Sequence, residues 1–246
     1  MSLLPAFTPL FERLVDFAIR PEHALEASRA RAEYFTRTGE VFDEDRSFDV
    51  RMQAFLDWLV FDRPLAPGAE PPARAFIPTL PDREERRRFR LLARTVHGLF
   101  EVRANTPDFL DVRNLLTDAE YRVPVPGPLA GVQPGDLFEG RLVPFEGRHH
   151  FSSAFLFHPS ALRRRVVREL RRQKREEPQT GVQEILWTMS RMAIRAEHYR
   201  NVALEVVYDF QHPPPKVSAT PMRFDPASLE ARRRHLLGTP ERGLFR

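Results

Sequence analysis

The spacing of apolar residues changes twice along this chain of 246 residues, and these changes constrain the fold more than any other feature. Up to about position 95 apolar residues recur every three or four positions, as at Phe48, Met52 and Phe55, which indicates amphipathic helices. Between Phe100 and Phe157 they alternate with polar residues, which indicates strands. The helical spacing returns after position 160. Helices on both sides of a block of strands predict an α+β fold.

Prolines, glycines and capping residues divide the helical region 1–95. A Thr-Pro pair opens the first helix, Gly39 follows the second, and Asp82 with Glu85 forms a capping-box pattern that opens the last. We therefore expect helices at 8–19, at 21–38, from 48 to just before Pro64, at 73–77 and from 82 to about 98.

Alternating runs make region 96–159 a small β module. They predict five strands, at 100–104, 110–112, 121–125, 137–143 and 150–157. Five short strands within ~60 residues are too few for a sandwich and fit a small five-stranded, barrel-like sheet.

The C-terminal part is predicted to be helical in region 160–212. A first helix covers 160–176, and a second, with apolar residues at steps of four and three from Ile185 to Phe210, would form a rod of roughly 39 Å at ~1.5 Å per residue. Residues 213–246 contain a Pro-rich linker and a short amphipathic helix at about 225–238. We expect one integrated unit with this segment as a tail.

Basic residues are concentrated in one helix. The formal net charge is +4, but region 96–159 has five basic and eight acidic residues, whereas 160–177 has eight basic and three acidic ones. A helical arrangement of 163–175 would bury Leu162, Val166 and Leu170 and place four arginines outside, namely Arg164, Arg168, Arg171 and Arg175. That face suits phosphates or an acidic partner; a simple solvated surface is the alternative.

Two further features suggest a protein partner. Met189 and Met192 lie on the long apolar stripe and suit either close helix packing or an adaptable contact with another protein. The tail helix carries Arg232 and Arg233 outside an apolar side, as in peptides that dock into a groove.

Catalytic and cofactor signatures are not found in the sequence. The chain has no cysteine, which removes thiolate metal sites, and it contains no HExxH, GxSxG, GxGxxG or GxxxxGK pattern. On one unbroken strand His150 and His158 would lie roughly 26 Å apart, too far to share a metal ion. We therefore predict no cofactor and no metal site.

These observations predict a non-catalytic, cytoplasmic adaptor or regulatory protein that binds another macromolecule through its C-terminal helical region. A nucleic-acid-associated protein using the basic helix 163–175 is the alternative, and an enzyme with an unrecognised site is a second one. Because all basic residues except Lys174 and Lys216 are arginine, a GC-rich bacterial source is expected. The longest apolar stretches are much shorter than the ~20 residues that are needed to cross a bilayer, so no membrane association is expected. The oligomeric state is left open.

Overall fold

The computed structural model describes residues 7–212, and this part of the chain is mixed α+β. The helices before the sheet are α1 (Thr8–Ala18), α2 (Ala24–Thr38), α3 (Phe48–Phe61), α4 (Pro72–Ala75) and α5 (Arg83–Leu92). The strands are β1 (Val96–Asn105), β2 (Phe109–Asn114), β3 (Glu120–Pro124), β4 (Leu137–Phe145), β5 (Arg148–Phe151) and β6 (Leu156–His158). The helices after the sheet are α6 (Arg163–Glu176), α7 (Val182–His198) and α8 (Leu204–Val207).

The strands form one antiparallel sheet in the order β3-β2-β1-β4-β5, and β6 pairs with the first residues of β4. The sheet curls strongly and brings its edge strands close together: the rings of Tyr121 on β3 and His149 on β5 are 5.2 Å apart, although these two strands do not pair. It therefore has the form of a half-barrel. Its concave face is filled by alternate apolar residues, with the Phe100, Phe138 and Phe151 rings in contact at its centre.

The other face of the sheet is covered by helices. Because successive strand residues point to opposite faces, the odd-numbered residues of β4 all face the helical layer. Leu137, at the start of β4, packs in a cluster with α6 and α7, whereas Val143 and Phe145, at its end, pack in a cluster with the N-terminal helices.

The Asp82 cap and the glycine position predicted from the sequence are confirmed, but the capping box is only half formed because the Glu85 carboxylate pairs with Arg13. The Glu85 backbone N–H donates to the Asp82 carboxylate over 2.6 Å at the start of α5. Gly39 ends α2 with φ of 94°, and a Cβ atom there would lie 2.6 Å from Cγ2 of Ile194 on α7. A glycine is thus required both by the backbone conformation and by the close approach of α7.

Three predicted elements are wrong in extent. The helix opened by Asp82 ends at Leu92, and β1 already begins at Val96. The predicted strand 150–157 is interrupted after Phe151, so the sheet has six strands in the described part of the chain. The 26-residue rod is not formed, because α7 ends at His198 and a turn separates it from α8.

The physical reason for the third difference is visible in the burial of the stripe. Its first half is buried against the sheet, but Tyr199 and Val206 are 56% and 65% exposed. After the turn, Val207 and Tyr208 enter the core instead. The tail at 213–246, with its predicted linker and amphipathic helix, Arg232 and Arg233, lies outside the described residues.

Candidate anion-binding site

A cleft of about 280 Å³ lies between α6 and the helix-facing side of β1 and β2. Five cationic and two anionic side chains line it, together with three apolar ones: Arg103, Arg113, Arg163, Arg171, Lys174, Glu101, Asp118, Leu115, Val167 and Leu170. We call it the basic cleft. Its excess of three positive charges suits an anionic ligand.

Each wall of the basic cleft is fixed by ordinary secondary-structure geometry. Leu162, Val166 and Leu170 are buried against the sheet, which turns the arginine-rich side of α6 outward, as the sequence predicts. On β1, Val102 points into the half-barrel, so its neighbours Glu101 and Arg103 point toward α6. Arg113 of β2 is the pairing partner of Glu101 and joins them on that face.

Glu101 fixes one end of α6 to the sheet. Its carboxylate is only 3% exposed and accepts hydrogen bonds from Arg163 of α6, with Nε at 2.6 Å and Nη2 also in contact. Arg103 Nη1 donates to the other carboxylate oxygen at 3.0 Å. The charge of this buried carboxylate is thus compensated by two arginines, as burial of an ion requires.

Asp118 makes the corresponding link farther along the helix. It accepts from Lys174 of α6 at 3.2 Å and from Arg113 of β2 at 2.7 Å. The hydrogen bond from Lys174, followed by that from Arg113, holds the pKa of the Asp118 carboxyl below its usual range. Glu101 and Asp118 therefore each join one cation of the sheet to one cation of α6.

Arg171 is the cation of the basic cleft without such a link. It is exposed, it lies on the cleft wall, and it forms no ion pair with any residue between 7 and 212. A guanidinium offers paired N–H donors that match a carboxylate or phosphate. Arg171 is therefore the side chain best placed to receive an incoming anion.

The structure places the four predicted α6 arginines on one exposed side. Arg164, Arg168 and Arg175 accompany Arg171. Among residues 7–212, only two of the four have acidic neighbours, at 3.7 Å for Arg168 to Glu169 and 2.9 Å for Arg175 to Glu176. We call these four residues the α6 row. Ion pairs at such exposure contribute little and leave the arginines available.

Met189 and Met192 are placed differently from the partner-contact hypothesis. Both are fully buried in the cluster formed by α6, α7 and the sheet. The close-packing alternative is therefore the correct one for these two residues, because a partner cannot reach them in this fold.

Arg103 and Arg113 are site residues that the sequence did not single out. Their alternation with Val102 and Val112 indicates that they lie on the outer face of their strands. The helix that packs on that face is determined by the tertiary structure. The sequence alone therefore could not show that these two arginines face α6.

Residue types used in hydrolysis also meet in the interior, at the junction of β1, β4 and α7. Glu139 is buried and accepts from His97 Nε2 at 3.0 Å and from Ser190 Oγ at 2.6 Å. Burial opposes its ionisation, but the hydrogen bonds from His97 and Ser190 hold the pKa of Glu139 below its ordinary value.

This arrangement differs from that of a catalytic serine and the histidine that acts as its base. Such a pair requires a serine bonded to the histidine, whereas here both bond to the same carboxylate. The adjoining cavity measures about 10 Å³, the size of one water molecule. The geometry of this cluster is that of a buried polar contact between α7 and the sheet, in which His97 Nδ1 has no hydrogen-bond partner among the described residues.

Residues 7–212 hold neither a metal-binding cluster nor a membrane-spanning helix. No group of three or more histidine and carboxylate side chains in that range is arranged to hold a metal ion. None of its helices combines the length and apolar character needed to cross a membrane.

Comparison with known proteins adds no relative to this description. No family model, curated protein or solved structure matches the chain.

Proposed function

We propose that this protein is a non-catalytic adaptor or regulatory protein that binds an acidic segment of a partner protein through the basic cleft and the α6 row. The observation that carries the proposal is the cleft itself, where five cations face two carboxylates and Arg171 is unpaired among the described residues. Carboxylate side chains of a partner would complete the hydrogen bonding of Arg171 and displace its water.

An acidic peptide fits the surroundings better than a nucleic acid does. Single-stranded nucleic acids are held by stacking of bases on aromatic rings, and no ring is among the residues that line the basic cleft. An acidic peptide needs no such rings, because its carboxylates can contact the arginines of the cleft and of the α6 row directly.

The test uses the full chain and a labelled oligoglutamate of about ten residues, with fluorescence anisotropy as the measurement. We expect binding that weakens as NaCl rises from about 50 mM to about 200 mM, because the contacts are between charges. Oligoglutamine of the same length should not bind. An oligothymidylate of the same length tests the nucleic-acid alternative, and tighter binding of it than of oligoglutamate would overturn the acidic-peptide proposal.

A matched pair of variants locates the site. Arg171→Glu should weaken oligoglutamate binding by at least about tenfold, which corresponds to ~1.4 kcal/mol. Arg74→Glu changes the charge equally at an exposed arginine on α4, outside the cleft, and should leave the affinity within about twofold. Equal losses in the two variants would show that only net charge matters, and the cleft would then not be the site.

A further inference from the structure

A second arginine row lies on α5, outside the site described above. Arg83, Arg87 and Arg90 follow steps of four and three, a spacing also found in the α6 row, and all three are exposed. At 3.6 residues per turn these steps keep the side chains on one side of the helix. We call them the α5 row.

The orientation of α5 is fixed by its buried side. Phe89 and Leu92 are each 1% exposed and pack into the N-terminal core, and the Arg88 guanidinium lies 5.2 Å from the centre of the Phe145 ring at the end of β4. The α5 row occupies the opposite side of the helix and points to solvent.

The acidic residues at the start of α5 do not neutralise this row. Glu85 pairs with Arg13 at 2.5 Å, and the Asp82 carboxylate caps the helix. Glu84 reaches only Arg87, at 3.6 Å. Arg83 and Arg90 form no ion pair with any residue of the described range, and each like-charged pair at this helical spacing costs a helix about 0.2 to 0.5 kcal/mol. An anion bound along the row would remove that repulsion.

The two rows lie at opposite ends of β4, on the same side of the sheet. Arg163, the first residue of α6, contacts Glu101, which pairs with Leu137 at the start of β4. Arg88 of α5 lies over Phe145 at its end. Leu137 and Phe145 are eight residues apart, which at ~3.3 Å per residue places these two points of contact roughly 26 Å from each other along β4.

We propose that the α5 row is a second contact surface for the same acidic partner segment, which therefore extends from α6 to α5. This inference rests on the proposed function of α6. An extended peptide covers ~3.3 Å per residue, so at least about eight residues bridge the two helices and about 15 to 20 engage both rows. Leu91 lies beside the α5 row and is 49% exposed, so the partner segment presents an apolar side chain there as well as carboxylates.

The experiment compares two oligoglutamates, of about eight and about 24 residues, on the full chain. Tethering a second contact to the first raises the affinity, typically by 10²-fold or more. The longer peptide should therefore bind at least about tenfold more tightly than the shorter one, a gain larger than the few-fold effect of additional binding registers.

The triple variant Arg83→Glu, Arg87→Glu and Arg90→Glu should reduce the affinity for the longer peptide to that for the shorter one and leave the shorter one unchanged. The matched control is Arg20→Glu, Arg29→Glu and Arg74→Glu, which makes the same charge change at exposed arginines elsewhere. If the α5 variant does not fold by circular dichroism, the corresponding triple glutamine variant replaces it.

The outcomes separate this inference from the function on which it rests. Failure of the shorter peptide to bind the wild-type chain overturns the proposed function. Binding of the shorter peptide with no gain for the longer one, or a gain that survives the α5 variant or disappears equally in the control, overturns the second contact surface alone.

Discussion

Burial decides the protonation state of His158, whose side chain lies between the sheet and Tyr208. Its Nδ1 is 3.0 Å from the Tyr208 hydroxyl, and only 4% of the residue is exposed. Burial lowers the pKa of His158 from 6.5 to about 4, although the Glu139 carboxylate acts in the opposite direction. The folded protein therefore holds this imidazole neutral at pH values at which the unfolded chain protonates it.

The sign of the resulting pH dependence follows from linkage. Stability from His158 is complete above about pH 6.5 and is lost as the pH falls toward 4, because only the unfolded chain gains a proton in that interval. We expect His158→Gln to remove this part of the acid destabilisation, so that the wild type loses about 2 kcal/mol more than the variant between pH 7 and pH 4.5. Urea unfolding at the two pH values measures the difference, and equal losses would contradict it.

Single side chains also join whole elements, and Arg51 of α3 joins two others. Its Nη2 donates to the carbonyl oxygens of Thr38 and Gly39 at the end of α2, both at 2.8 Å, and its Nη1 donates to the Ser190 carbonyl of α7 at 3.3 Å. Arg51 is 2% exposed, and burial lowers its pKa. The last carbonyls of α2 thus obtain from α3 the donors that a helix end lacks.

Loss of these donors should be costly. We expect Arg51→Met, which keeps an unbranched side chain, to lower the free energy of unfolding by about 3 kcal/mol, because buried carbonyls lose their partners. Arg74→Met, at an exposed position on α4, should change it by less than about 0.5 kcal/mol. A loss below about 1 kcal/mol for Arg51→Met in urea unfolding would show that the contact between α2, α3 and α7 depends on apolar packing instead.

For the whole molecule, the net charge can be assigned to one segment of the sequence. Residues 213–246 contain seven basic and three acidic residues, which equals the entire net charge of +4. Among the described residues, 7–212, apolar side chains pack into three hydrophobic clusters.

Truncation after His212 should therefore leave a folded protein. We expect the circular dichroism spectrum to be retained and the Tm to change by less than about 4 °C, since the contacts that residues 7–212 make among themselves in these clusters are kept. Loss of cooperative unfolding would show that the tail belongs to the core.

The hypothesis that the tail, with Arg232 and Arg233, docks into a partner stays a prediction, and the truncated chain tests it by loss of that partner in a pull-down.

The sequence alone determined the features that depend on neighbouring residues. Periodicity was sufficient for the α+β class, for the alternation of Val102 with Glu101 and Arg103, and for the outward direction of the α6 arginines, because side-chain direction follows from local backbone geometry. The Asp82 cap and the glycine after α2 were equally local.

Only the tertiary structure decided which other elements pack against these helix and strand faces. The spacing from Phe89 to Leu99 fits a helix, but Val96 and Leu99 are strand residues because β1 pairs with β4. Likewise the apolar residues beyond His198 do not continue α7. The chain turns after His198, and Val207 and Tyr208 pack into the core after the turn. The basic cleft joins β1, β2 and α6, and its charge balance depends on contacts across 62 positions, from Glu101 to Arg163. Such contacts are set by packing of the whole chain, which local spacing does not contain.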